Sequence, residues 1–128
     1  MSLQSPLAKV IGLGSAREGT DHWWAQRVSS VALLILGSWF LVSLASLDSL
    51  AFADVRAFLS APWNAILVIL LIATIGYHSK LGVQVVIEDY LATRALKVSA
   101  LILSAFFHTL VAFAGSYAVL MISLGAPA

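Results

Sequence analysis

Tyr77-His78-Ser79-Lys80-Leu81-Gly82-Val83-Gln84-Val85-Val86-Ile87-Glu88-Asp89-Tyr90 is the stretch whose reading decides the fold. It carries a histidine out of an apolar run and closes on an acid and a phenol. In a helix, the separation from His78 to Asp89 is a rise of ~16 Å, about half the hydrocarbon core of a bilayer. At ~100° per residue, His78, Gly82 and Asp89 fall within a narrow arc of one face. An imidazole near mid-membrane therefore looks along its own helix toward an acid and a phenol at the water boundary. That geometry suits a cofactor buried in the membrane with a small-molecule site above it.

The composition agrees. The chain has 128 residues, 61% of them hydrophobic and 10% charged, with a mean hydropathy of +0.99. A soluble domain of this length leaves too much surface exposed to hide so much apolar area, so the membrane is the solvent. A formal net charge of +1 with no Lys/Arg cluster argues against a nucleic-acid partner. The absence of cysteine excludes disulfides, thiolate zinc sites and iron–sulfur clusters held by this chain. Any redox cofactor held here uses histidine or is organic.

Charges divide the sequence into three uncharged runs, 28–47, 57–79 and 98–128. Each exceeds the ~18 apolar residues that mark a transmembrane helix. Pro62 stands near the start of the second, where a helix tolerates it. That span is expected to run on through Ile87, which makes Lys80 an intramembrane cation. Lys9, Arg17, Arg27, Lys80, Arg94 and Lys97 fall on one side of the membrane, and Arg56 alone on the other. The positive-inside rule then places the N-terminus in the cytoplasm and the C-terminus outside. The polar opening, with Gly12, Gly14 and Gly19, lacks a signal-peptide apolar core and reads as a cytoplasmic lead-in.

Each polar residue in this frame has a plain reading and a chemical one. An imidazole at the depth of His78 either bonds a neighbouring helix or is an axial ligand to haem iron. The second is favoured because ionisable groups inside the bilayer are functional by default. Gly82, one turn along the same face, supports it, since a missing side chain lets a flat porphyrin approach. Without cysteine or a carboxylate near that depth, a catalytic triad or zinc site is implausible. Lys80 lies ~160° around the helix from His78. It either snorkels along lipid or a neighbouring helix, which is favoured, or pairs with a haem propionate or a partner's acid.

Taken singly, Asp89 ends a span and Tyr90 belongs to the interfacial aromatic belt. Combined with His78, the phenol can donate to a quinone carbonyl, with Asp89 orienting or re-protonating it. Glu88 reads as solvated. Trp23 and Trp24 read as interfacial anchors, and Arg27 is either a topology determinant or a partner for an anionic propionate. His108 lies at nearly the depth of His78, so bis-histidine ligation within the chain is geometrically open. A hydrogen bond to a neighbouring helix's carbonyl is the favoured account.

At these residues the chain resembles the D-type hydrophobic membrane anchor of succinate dehydrogenase (respiratory complex II), in its alphaproteobacterial or mitochondrial-like form. The resemblance rests on His78-Ser79-Lys80-Leu81-Gly82 followed by Glu88-Asp89-Tyr90, and on the lead-in His22-Trp23-Trp24-Ala25-Gln26-Arg27-Val28-Ser29-Ser30. It covers roughly residues 19–124, including three spans in order. It implies pairing with a second three-helix anchor of the C type, with haem b between the two and one axial histidine from each. His78 matches the ligand that a D-type anchor contributes. The resemblance further implies that the anchors dock the iron–sulfur and flavoprotein subunits, and that electrons from succinate reach ubiquinone at their meeting point. Tyr90 and its neighbour Asp89 match the quinone site. Arg27 and His22 match positions near the haem propionates. Lys80 gains no role, and His108 is argued against as a ligand.

The expectation is an all-α integral membrane protein with three transmembrane helices at about 28–47, 62–88 and 98–124. A lead-in of 1–24 precedes an anchor domain of 25–128, in a bacterial inner membrane. As part of an enzyme it contributes to quinone reduction, while succinate oxidation belongs to partner subunits. Three rivals stand beside this reading. One is a fumarate reductase anchor; another is a small transporter with Lys80 and Asp89 as a coupling pair. The third is a purely structural helix bundle.

Overall fold

The computed structural model describes Leu7, Val10 and residues 18–125. Of the expected lead-in, only Leu7, Val10 and the stretch from residue 18 lie within the described residues, and Lys9 and Arg17 lie outside them. Four helices are described in full: α1 (Glu18–Ala45), α2 (Phe52–Ser60), α3 (Pro62–Tyr90) and α4 (Arg94–Ser123). Three of them, over Thr20–Ala45, Pro62–Tyr90 and Arg94–Ser123, are long and apolar enough to cross a membrane. At 1.5 Å per residue, the 29 residues of α3 extend ~43 Å, past the ~30 Å hydrocarbon core at one or both ends.

Local chemistry sets the boundaries. Ala61 is extended (φ −71°, ψ 123°), as the residue before a proline prefers, and Pro62 opens α3 where no backbone donor is missed. At the other end of α3, Leu91 leaves the helix while its N–H still bonds the Ile87 carbonyl. The Lys97 ammonium donates to the Glu88 carbonyl at 2.7 Å, meeting an orphan acceptor and the negative end of the helix dipole. Residues 91–93 are the whole connection to α4. That helix ends on Gly125 at φ +76°, the left-handed position glycine supplies.

Two features differ from the sequence expectation. Helix α1 begins at Glu18, about three turns before the expected span, so His22, Trp23 and Trp24 are helical. Nothing between Glu18 and Arg27 breaks a helix, and a charge count marks where a membrane begins rather than where a helix does. The short helix α2 was not foreseen. It packs on α3 and α4 at the end of the bundle remote from residue 90. Phe58 stacks on Trp39 (centroids 6.2 Å apart, planes at 30°), and the Asn64 amide donates to the Phe58 carbonyl at 3.0 Å. Ala65, Val68 and Val119 form the core there, with Trp39, Phe40 and Phe58 packed against them.

Helix α3 is central: α1 packs on it from one side and α4 from the other. The backbones of α1 and α4 nowhere approach within 8 Å among the described residues. The helices therefore form a layer with two broad faces, and the chain cannot enclose its own side chains. Phe113 is 73% exposed, and Leu34, Ile102, Leu103 and Phe106 also point outward. Exposure on this scale is stable only against lipid or other helices.

Candidate haem-ligand seam and quinone-site residues

The seam between α1 and α3 brings together polar side chains that a hydrophobic layer would otherwise exclude. On α1, His22, Gln26 and Ser29 follow the i, i+4, i+7 spacing of one helical face. On α3, His78 faces them. Ser29 Oγ lies 2.9 Å from His78 Nδ1, and Gln26 Nε2 lies 3.4 Å from His78 Nε2. Ser29 is 5% exposed, the one buried polar side chain among the described residues.

Hydrogen-bond bookkeeping selects one form of the ring. The shortest contact of Ser29 Oγ is 2.7 Å to the Ala25 carbonyl, which can only accept. The hydroxyl proton goes there, with the Gln26 carbonyl second at 3.1 Å. The oxygen's lone pair then accepts from His78 Nδ1–H. The Nε2 atom carries the lone pair, which meets the Gln26 amide N–H in a long contact of 3.4 Å. A neutral imidazole with Nδ1–H engaged and Nε2 basic is the form in which histidine binds a metal.

Three further observations bear on whether a haem suits this seam. His22 Nε2 and Gln26 Oε1 are buried with no hydrogen-bond partner among the described residues. A Cβ at Gly82 would meet only Gln26 Nε2, at 3.9 Å, so packing within the chain does not require glycine there. A groove of about 520 Å³ runs beside the seam, with Ser29, Ala32, Ala73 and Tyr77 on its walls. The seam thus offers an imidazole, unpaired polar atoms and room. Those residues fit a haem.

Arg27 is exposed on α1, ~100° round from Gln26. Its guanidinium lies 5.4 Å from the Trp23 ring centroid, a cation–π contact at the edge of the seam rather than within it. Asp89 and Tyr90 close the same helix that carries His78. Tyr90 is 82% exposed and lies ~18 Å along the axis from His78. Asp89 keeps to the line of His78, whereas Tyr90 is ~120° round from it. Glu88 is exposed and accepts from the Gln84 amide at 2.8 Å.

His108 is at the level of His78 but on the opposite side of α3. Its Nδ1–H donates to the Ser104 carbonyl of its own helix at 2.7 Å, and its Nε2 accepts from Ser79 Oγ at 3.1 Å. Both nitrogens are hydrogen-bonded, and Nε2 is held more closely than that of His78, which meets Gln26 at 3.4 Å. Helix α3 stands between the two histidines, so they cannot ligate one metal within this chain. The favoured sequence account named a neighbouring helix's carbonyl, whereas the carbonyl bonded is on α4 itself and the neighbour supplies a hydroxyl. Lys80 also lies on the α4 side, near Gln84 and Ser104, with no hydrogen bond or ion pair among the described residues. It is ~180° around α3 from Asp89, which removes the coupling pair of the transporter reading.

The comparisons with known proteins give the family. The family model described as "Succinate dehydrogenase/Fumarate reductase transmembrane subunit" matches residues 1–124. The chain belongs to that family. It is similar to the succinate dehydrogenase hydrophobic membrane anchor subunit of Paracoccus denitrificans, at 34% identity over 122 residues, covering 95% of this chain and 94% of the relative. The like-named subunit of Rickettsia bellii (strain RML369-C) is 34% identical over 116 residues, covering 86% and 90%. That of Rickettsia conorii is 29% identical over 113 residues, again covering 86% and 90%. No solved structure gives a comparable match. The resemblance read from His78-to-Tyr90 is thereby established at the level of the family, and the chain is a multi-pass membrane protein.

Two residues of the seam, Gln26 and Ser29, received no role from the sequence. Their signal was the i, i+4, i+7 polar spacing from His22. It had no weight because His22 was read as preceding the span rather than lying within its helix.

Proposed function

We propose that this chain is the membrane anchor of a succinate:ubiquinone oxidoreductase. The observation that carries the reading is His78, an imidazole held in the α1–α3 seam 2.9 Å from Ser29 Oγ and 3.4 Å from Gln26 Nε2. His78 would hold haem b together with a residue from a partner anchor of the C type, which covers one open face of the helix layer. His22 and Arg27, at the mouth of the seam, serve the haem propionates. Haem b, when bound, supplies a reversible one-electron centre.

The remaining steps belong to this chain's residues. Tyr90, exposed at the end of α3, donates a hydrogen bond from its phenol to a ubiquinone carbonyl. That bond favours electron arrival at the ring, because charge develops on the same oxygen. Once the phenol has passed its proton to the reduced carbonyl oxygen, Asp89 at the water boundary relays a proton from water to the phenolate. Lys97 holds the end of α3 that carries both residues. The positive-inside rule favours the cytoplasm for this end, where the iron–sulfur and flavoprotein subunits dock and where succinate is oxidised outside this chain. The printed names of the Paracoccus and Rickettsia relatives support succinate oxidation over fumarate reduction.

The test is purification with native partners, a dithionite-reduced spectrum and identification of the copurifying chains. A b-type haem signal with a second anchor, an iron–sulfur protein and a flavoprotein is expected. A preparation without Soret absorption, or without those chains, overturns the reading.

A further inference from the structure

We infer that Ser29 is a positioning residue for His78: its hydroxyl fixes the Nδ1–H tautomer and tunes the ring as an iron ligand. The inference rests on the haem reading above. Its basis is the relay Ala25 C=O···H–Oγ Ser29···H–Nδ1 His78, with oxygen–oxygen and oxygen–nitrogen distances of 2.7 Å and 2.9 Å. A serine bonded back to its own helix's carbonyl is neutral to unfavourable for the helix, and burying its oxygen costs more unless a second partner is present. Here the second partner is an imidazole on another helix.

The relay acts in one direction. The carbonyl polarises the hydroxyl, the hydroxyl oxygen becomes a better acceptor, and electron density moves through the ring toward Nε2. A more basic Nε2 stabilises ferric over ferrous iron and so lowers the haem potential. Without Ser29, the Nδ1–H finds no acceptor on α1 at that point, and the ring is free to rotate or change tautomer. Gln26 works from the other edge. Its amide N–H lies 3.4 Å from Nε2 and holds that lone pair until iron takes its place.

The experiment compares the purified complex carrying the natural chain, Ser29→Ala, Ser29→Thr and His78→Ala. Haem content, midpoint potential and the low-spin electron paramagnetic resonance signal are read in each. Ser29→Ala is expected to retain haem, raise its midpoint potential and shift or broaden the low-spin signal. Ser29→Thr, which keeps a hydroxyl on the same carbon, is expected to restore both. If Ser29→Ala leaves potential and signal as in the natural chain while His78→Ala abolishes the signal, the positioning role is overturned and ligation stands. If Ser29→Ala shifts them and Ser29→Thr fails to restore them, the hydroxyl relay is likewise overturned. If His78→Ala leaves the haem signal unchanged, the haem reading itself falls and this inference falls with it.

Discussion

Ser29 Oγ and His78 Nδ1 sit 2.9 Å apart although 49 positions separate them in the chain. The contact joins the first and second membrane-crossing helices at the depth where polar groups are most costly. It divides the molecule into two functional sides, because His78 looks toward α1 while Ser79 and Lys80 look toward α4. Substitutions on one side should leave the chemistry of the other intact.

His78→Ala removes the ring but not the packing, since the tight core lies at the other end of the bundle. The complex should assemble with its haem spectrum weakened or altered. A tenfold or greater loss of haem affinity, equivalent to about 1.4 kcal/mol, is expected. Titration of haem into the purified complex, read by absorption, checks it; an unchanged spectrum and affinity count against ligation.

Tyr90→Phe deletes one hydrogen bond at an exposed helix end. Loss of a bond of about 0.5–1.5 kcal/mol corresponds to a ~2- to 13-fold fall in quinone reduction. Succinate oxidation with a soluble dye should be unaffected, because that chemistry lies outside this chain. A parallel fall in both activities removes support for the quinone role.

His108→Ala breaks the Ser79–His108 bond between α3 and α4. Such bonds inside membranes contribute about 0.6 kcal/mol on average and up to ~1.7 kcal/mol. Thermal stability should drop by that order, Ser79→Ala should do the same, and the double variant should be little worse than either. The haem spectrum should not move; a large spectral change would return His108 to the cofactor.

Gly76→Leu tests the close approach of α3 and α4. A Cβ at Gly76 would already meet Ala112 Cβ at 3.2 Å and the His108 carbonyl at 3.6 Å. A larger side chain must push the helices apart, at a cost of roughly 1–3 kcal/mol. Gly37→Ala is the internal control, because nothing lies within 4 Å of its Cβ position. Thermal melting of the two variants in the same detergent should separate them clearly.

The layout of the candidate site along one helix was legible before the fold. An uncharged run interrupted by one imidazole, with Asp-Tyr at its end, is a local pattern, and helix geometry converts spacing within one helix into depth and direction. His78, Asp89 and Tyr90 do lie on a single helix at different depths. The roles weighed for Lys80 and His108 were open for a related reason: a side chain's partner on another helix does not follow from its own spacing. Ser29 and Gln26 were passed over partly for that cause, and partly because His22, which begins their polar spacing, was read as preceding the span.

The order and membrane character of the three spans came from the sequence alone, because hydrocarbon leaves the backbone no alternative to satisfying its own hydrogen bonds. Only the tertiary structure decided which face of each helix meets which neighbour, since rotation about a helix axis costs little until side chains interlock. That choice put Ser29 beside His78 and Ser79 beside His108, and so gave two histidines at equal depth different chemistry.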